Sequence, residues 1–386
     1  MSDIKRIFYE KFGREADSFY FSPGRVNIIG EHTDYNGGQV LPFCINLGIY
    51  AAVRFREDTN VLIYSDNFSN LGIIEFSLDN LDFRIERDFA NYACGILREF
   101  GKRGFSIKSG FELAIYSDLP VGGGLSSSAA FLDLIGKIVI DRFGFDLSNT
   151  DLAWMSKTTE NEYIGVSCGI MDQFIIANGK KGNAIRLHTD TMDYEYVPIP
   201  ETDFQFILIN SNVTRKLTES KYNERQRETQ AILRELQKHV PINNICDLAP
   251  EDYKIYERYL FGMNLKRRLL HLLNENHRVT ETIFAIAEND YTSLGQLINE
   301  SHESLKNLYQ VSSEKLDELV DLGRKAGSLG SRMIGGGFGG STLNVVLRQD
   351  IETFIQRFTE MYQKEYNQDP IIYLVEATDG VRKIND

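Results

Sequence analysis

Cysteine, proline and tryptophan are scarce in this chain: four, eight and one among 386 residues. The cysteines, Cys44, Cys94, Cys168 and Cys246, lie far apart and form no C-x-x-C pair. That spacing excludes a disulfide framework and zinc-type ligand spacing, and leaves reduced thiols as the expected state. Basic residues are in deficit too, 42 against 55 acidic ones, for a net charge of −13. Neutralising a nucleic acid or an anionic membrane needs clustered Lys and Arg, so neither is an expected partner. A small anionic substrate stays open, since a local pocket can override the overall field. No apolar run approaches the roughly 20 residues of a membrane-spanning helix. The start, Met1-Ser2-Asp3-Ile4-Lys5-Arg6, leads into an amphipathic segment rather than a secretory signal, and a cytoplasmic protein is expected.

With 42% hydrophobic residues over this length, the chain exceeds the ordinary ceiling for one core, and two domains are expected. Periodicity predicts a helix over 3–12, strands between 40 and 78, and a helix over 88–101. Phe111, Leu113 and Ile115 alternate with Glu112, Ala114 and Tyr116, the pattern of a half-buried strand. Helices follow over 127–142 and 151–164, the second with capping side chains at 149–151. Strands at 184–187 and 204–210 precede a charged, mostly helical stretch, 216–325. Strand returns over 331–347, then a helix over 351–366 and a closing strand over 371–375. The pattern is α+β in both halves, with residues 1–205 and 206–386 as the two domains.

Three segments concentrate chemistry. Residues 23–38 place Arg25, Glu31, His32 and Asp34 among glycines and apolar residues, a mixture suited to a partly buried polar pocket. Gly122-Gly123-Gly124-Leu125-Ser126-Ser127-Ser128 lies between a strand and a helix. Glycine permits close backbone approach, and the helix start offers unpaired N–H groups to an anion, so the loop is expected to bind phosphate. It is neither a Walker A sequence nor a dinucleotide fingerprint. Gly335-Gly336-Gly337-Phe338-Gly339-Gly340 fits G-x-G-x-x-G formally, but a strand pattern follows it, which leaves a glycine turn packed against backbone or ligand. Glu160 and Asp172 add a carboxylate pair, each a candidate base or metal ligand.

Together these segments resemble the GHMP small-molecule kinases, and within them the galactokinase branch. Residues 25–38 match the branch's N-terminal signature, 119–130 the phosphate loop, and 335–340, preceded by Ser331-Arg332-Met333, the third motif. Residues 168–174 and Tyr222-Asn223-Glu224-Arg225 agree as well, so the likeness spans essentially the whole chain. The resemblance implies a two-lobed fold, similar to ribosomal protein S5 domain 2 in the N-terminal domain and ferredoxin-like in the C-terminal one. The implied reaction transfers the γ-phosphoryl of ATP to the anomeric hydroxyl of α-D-galactose. By the same likeness Asp172 is the base and Arg25 its partner, while Arg25, Glu31, His32, Asp34, Gly169, Asp172 and Tyr222 fall on sugar-contacting positions. Gly122, Gly123, Gly124, Leu125, Ser126, Ser127, Ser128 and Tyr92 fall on nucleotide-binding positions, and Ser128 and Glu160 on those of Mg²⁺ ligands. His32 is expected to be a satisfied pocket histidine rather than a proton shuttle. Phe89 stands where tryptophan is common, and Ser341 replaces a common cysteine. Galactose and ATP are the implied partners of a monomer or weak homodimer. The rivals are a related sugar 1-kinase, acting on N-acetylgalactosamine, arabinose or a uronic acid, and a non-catalytic galactose and ATP sensor. The complete Ser126-Ser127-Ser128 run speaks against the sensor.

Overall fold

The computed structural model describes the chain except residues 1, 121, 214–217 and 386. Val121 of the glycine loop and residues 216–217 of the predicted helical stretch lie outside the described residues. The first lobe is built on a six-stranded sheet in the order Arg382–Ile384, Ser18–Asn27, Pro42–Phe55, Phe111–Ser117, Asn60–Ser65, Ile73–Ser77. Its pairings are antiparallel except between Asn60–Ser65 and Phe111–Ser117. Ala52 faces Ala114 across the ladder, and these small side chains make room for the helix Ser2–Phe12, which packs Ile4, Ile7 and Phe8 there. The alternate residues Ala51, Val53, Leu113 and Ile115 point into the main core beneath the helices Ala90–Lys102, Ser127–Phe143 and Met171–Asn178.

The strand Phe111–Ser117 is therefore covered on both faces, not half-buried as its alternation suggests. Glu112, on the same face as Ala114, is buried and takes an ion pair from Arg56 at 2.9 Å. The predicted 151–164 helix also divides. An α-helix runs Asn149–Thr158 and widens into a π-helical turn, Thr159–Ile164, that carries Glu160. Its cap falls one residue earlier than expected: the Asp151 amide donates to Ser148 Oγ at 3.1 Å, and the Ser148 amide donates back to Asp151 at 2.9 Å.

A second, fully antiparallel sheet runs Gly330–Met333, Ser341–Leu347, Phe204–Asn210, Ile371–Val375. The helices Glu314–Ala326 and Ile351–Tyr366 cover one face through Leu319, Phe354 and Phe358. The opposite face joins the core of the first lobe, with Phe206 stacked on Phe43 at 5.2 Å. The helices Thr218–Leu236, Met263–Ala287 and Tyr291–Ser304 flank this lobe. Residues 237–262 hold only single turns such as Tyr253–Tyr256, a break in the predicted helical stretch. The chain does not close on 371–375: Arg382–Ile384 returns to the first sheet, pairing Ile384 with Phe19. Among the described residues no helix is long and apolar enough to cross a membrane.

Candidate active site

A cavity of about 370 Å³ opens between the lobes, and every residue assigned above to sugar, nucleotide or metal lines it. One side of it is the glycine loop. Gly122 and Gly124 have φ of 71° and 79°, and Ser126 is left-handed at 62°, a conformation that disfavours side chains. Three successive carbonyls of the loop are engaged by protein donors. Ser341 Oγ donates to Gly123 O at 3.0 Å, Arg25 Nη1 to Gly124 O at 2.7 Å, and the Arg25 amide to Leu125 O at 3.2 Å. The Ser126 side chain does not cap the start of Ser127–Phe143, because its hydroxyl donates to Asp172 instead. The first N–H groups of this helix are thus available to an anion.

Asp172 stands in the first turn of Met171–Asn178. Arg25 grips it with both arms of the guanidinium, Nε to Oδ1 at 2.7 Å and Nη2 to Oδ2 at 2.8 Å. The Asp172 side chain keeps 29% exposure while that of Arg25 keeps 7%, so both line the cavity but the carboxylate is the more open of the pair. Burial works against the Arg25 charge, but Asp172, Glu31 and Asp34 more than offset it and raise its pKa.

Glu160, on the π-helical turn, is buried and accepts from Gln173 Nε2 and from Cys168 Sγ, the latter at 3.4 Å. Burial raises its pKa despite these donors and a hydrogen bond from Ser128. A carboxylate beside a hydroxyl at a helix start is a hard-oxygen pair that suits Mg²⁺, an ion that leaves most of its coordination to phosphates and water. Among the described residues no group of three or more His, Cys, Asp or Glu is placed to hold a metal without such help.

The other side is lined by side chains. Gly169 lies so close to Asp34 that a Cβ there would sit 1.7 Å from Asp34 Oδ2. Burial, then Asp172 and Glu31, push the Asp34 pKa up to about 7. His32, left-handed at φ 67°, shares a hydrogen bond of 2.9 Å between Nδ1 and Tyr35 Oη. Its Nε2 has no partner among the described residues, which leave this histidine only half satisfied. Burial, then His271 and Arg225, lower its pKa well below the ordinary value, which leaves the ring neutral. Tyr309 packs on the His32 ring at 4.7 Å and Tyr222 at 5.7 Å. Glu31 Oε1 accepts from the Gly335 amide at 2.9 Å and from Arg332 Nη2 at 3.0 Å.

Sequence reasoning did not assign Arg332, Gly335, Tyr309 or Gln173 to the site. Arg332 carries a signal, since it stands three residues before the third glycine motif, whereas Tyr309 sits in an unremarked helical stretch. The expected glycine turn is a close-packed one: a Cβ on Gly337 would lie 2.2 Å from Val311 O. Tyr92 lines the cavity, but Phe89 packs beside it, against Phe68 at 5.5 Å and Phe131 at 5.8 Å.

This arrangement has a known class. Residues 89–180 match the family model of the GHMP kinases N-terminal domain, and residues 283–364 that of their C-terminal domain. The protein is a two-domain GHMP kinase of mixed helices and sheets. Residues 6–55 match the galactokinase galactose-binding signature. A galactokinase of Clostridium beijerinckii is 42% identical over 99% of this chain and 98% of its own. One of Bacillus subtilis is 41% identical over 99% and 98%. The chain belongs to the galactokinase family. The crystal structure of Lactococcus lactis galactokinase complexed with galactose superposes at a TM-score of 0.95, with 37% identity over 99% of both chains. Methanococcus jannaschii mevalonate kinase, at a TM-score of 0.66 and 18% identity over 94% of this chain and 98% of its own, shares the fold alone.

Proposed function

We propose that the protein transfers the γ-phosphoryl group of ATP to the anomeric hydroxyl of α-D-galactose, with Asp172 as base and Arg25 as its electrostatic partner. One observation carries this reading: the guanidinium that grips Asp172 also binds the Gly124 carbonyl, so base and phosphate loop share a single anchor. The anomeric oxygen attacks the γ-phosphorus and its proton passes to Asp172. The phosphorus–oxygen bond to ADP then breaks, giving galactose 1-phosphate. Arg25 stabilises the charge that builds at the attacking oxygen, and the amides of residues 122–128 hold the phosphates.

Glu160 and Ser128 would hold Mg²⁺, which neutralises phosphate charge when bound. Glu31, His32, Asp34, Gly169 and Tyr222 would read the hydroxyl pattern of the sugar. Buried polar groups discriminate strongly, because an epimer leaves them unpaired. Four free cysteines support a reducing, cytoplasmic setting. The domain division near residue 205 is supported by the pairing of 204–210 with the second sheet, although 382–384 crosses back to the first.

A coupled ADP-release assay with a panel of sugars tests this reading. Galactose is expected to turn over fastest. Faster turnover of N-acetylgalactosamine, arabinose or a uronic acid would overturn the choice of sugar, and no ADP release with any sugar would favour the sensor.

A further inference from the structure

We infer that Glu275, on the second-lobe helix Met263–Ala287, is a positioning residue for the sugar: it sets the Gly30–Glu31 backbone and thereby aims the Glu31 carboxylate and the His32 ring into the cavity. The inference rests on reading the cavity as a galactose-kinase site.

Glu275 is fully buried. Its Oε1 accepts from the Gly30 amide at 3.0 Å, the Glu31 amide at 3.2 Å and Ser301 Oγ at 2.7 Å. Its Oε2 accepts from Arg278 Nε at 2.9 Å. Burial alone would push this carboxyl's pKa up, but Arg278, His271 and Arg332 bring it down to about 2, so it is charged. One turn earlier, on the same face, His271 Nε2 lies 3.2 Å from the Glu31 carbonyl, and its Nδ1 lies 2.8 Å from Ser304 Oγ. One helix therefore grips both the N–H and the C=O of Glu31.

The segment needs an outside hold. Gly30 and His32, on either side of Glu31, both have positive φ, 94° and 67°. A left-handed non-glycine residue costs on the order of 1 kcal/mol and persists where its surroundings over-determine it. The Glu31 side chain, which lines the cavity, is held from the same lobe by Arg332 and the Gly335 amide on Oε1. A buried charge is poor evidence for stability, since desolvation offsets the attraction. Four donors converging on a carboxylate behind a binding wall do set geometry, and small shifts of such a wall are felt as lost affinity.

Steady-state kinetics of the full chain decide the matter. Glu275→Gln keeps an acceptor for the two amides but loses the charge that faces Arg278. The galactose KM is expected to rise about tenfold, with kcat within about threefold and the ATP KM unchanged. A purely structural residue would lower the melting temperature and the active fraction without separating the two KM values. An unchanged galactose KM in the folded variant, or an equal rise in both, overturns the assignment. Should Glu275→Gln fail to fold, Ser301→Ala carries the test, because it removes one donor and leaves the backbone bonds. A galactose KM raised about twofold to threefold at constant ATP KM supports the assignment, and an unchanged value overturns it. The unaltered protein separates the two failures: without galactose turnover the function itself falls, and with it only the positioning role does.

Discussion

The proposed donor side of the cavity takes its conformation from residues 122–128, the Arg25 strand beside them and a single second-lobe hydroxyl, Ser341, whereas the proposed acceptor side draws on residues from 31 to 335. The difference follows from what each side must do. Phosphate can be held by backbone N–H groups, which need only glycine dihedrals and a helix start. A neutral sugar must be held by side-chain oxygens and nitrogens in a dry pocket, and each buried group then needs a partner. Those partners come from the other lobe: Arg332 and Gly335 for Glu31, Tyr309 for the ring of His32. Asp172 sits where the two constructions meet, with Arg25 and Ser126 on it from the donor side and Asp34 near enough to feel its charge.

The comparison breaks most visibly at that junction. Asp172→Asn is expected to lower kcat by roughly a thousandfold or more while galactose binding, read by calorimetry, largely survives. Retained turnover would remove the base role. Glu160→Gln belongs to the donor side and is expected to lower turnover on the order of a hundredfold at limiting Mg²⁺, with partial recovery at saturating Mg²⁺. A Mg²⁺ titration that matches the unaltered protein would remove Glu160 from metal binding.

Two glycines sharpen the contrast between binding and packing. At Gly122 a Cβ meets no atom within 4 Å, yet φ is 71°; at Gly337 a Cβ would lie 2.2 Å from Val311 O. Gly122→Ala is expected to raise the ATP KM several-fold and, through its positive φ alone, to cost about 1 kcal/mol of stability. Gly337→Ala is expected to cost about 1–3 kcal/mol of stability and to lower the melting temperature by several degrees. Thermal melts and ATP titrations of the pair check both, and the reverse pattern would exchange the two roles.

The smallest expected effect is in pH. Asp34 has its pKa raised from 3.8 to about 7, so its share of stability is fully present below 3.8 and is lost as pH rises through about 7. Sugar hydroxyls donate best to the ionised form, so the galactose KM is expected to fall as pH rises through 7. Asp34→Asn should flatten that dependence, and a KM profile that keeps its slope in the variant would assign it elsewhere. Glu275 runs the other way. Its pKa is lowered from 4.5 to about 2, and its contribution, present above 4.5, is lost as pH falls through about 2.

Much of the fold was legible from local pattern. The expected helix over 351–366 coincides with Ile351–Tyr366, and the predicted 127–142 helix with Ser127–Phe143 to within a residue. Misreadings occurred where partners far along the chain override a local rule. Alternation over 111–116 implies a wet face, but the helix Ser2–Phe12 covers it. The last strand, Arg382–Ile384, is too short and too charged to show a strand pattern, and only its pairing with Ser18–Asn27 makes it one. The π-helical turn under Glu160 has no sequence mark at all.

By itself the sequence determined the glycine loop at a helix start, the glycine turns and the identity of the ionisable groups, because dihedral freedom and helix starts depend on neighbours within a few residues. The tertiary structure decided what those groups are to one another. Arg25 and Asp172 are 147 positions apart and become a bidentate pair only in the folded chain. Glu31 becomes an aimed carboxylate only once Arg332, Gly335, His271 and Glu275 close around it. Desolvation and Coulomb attraction act through space, so the charge state and direction of a buried side chain belong to the fold rather than to the local sequence.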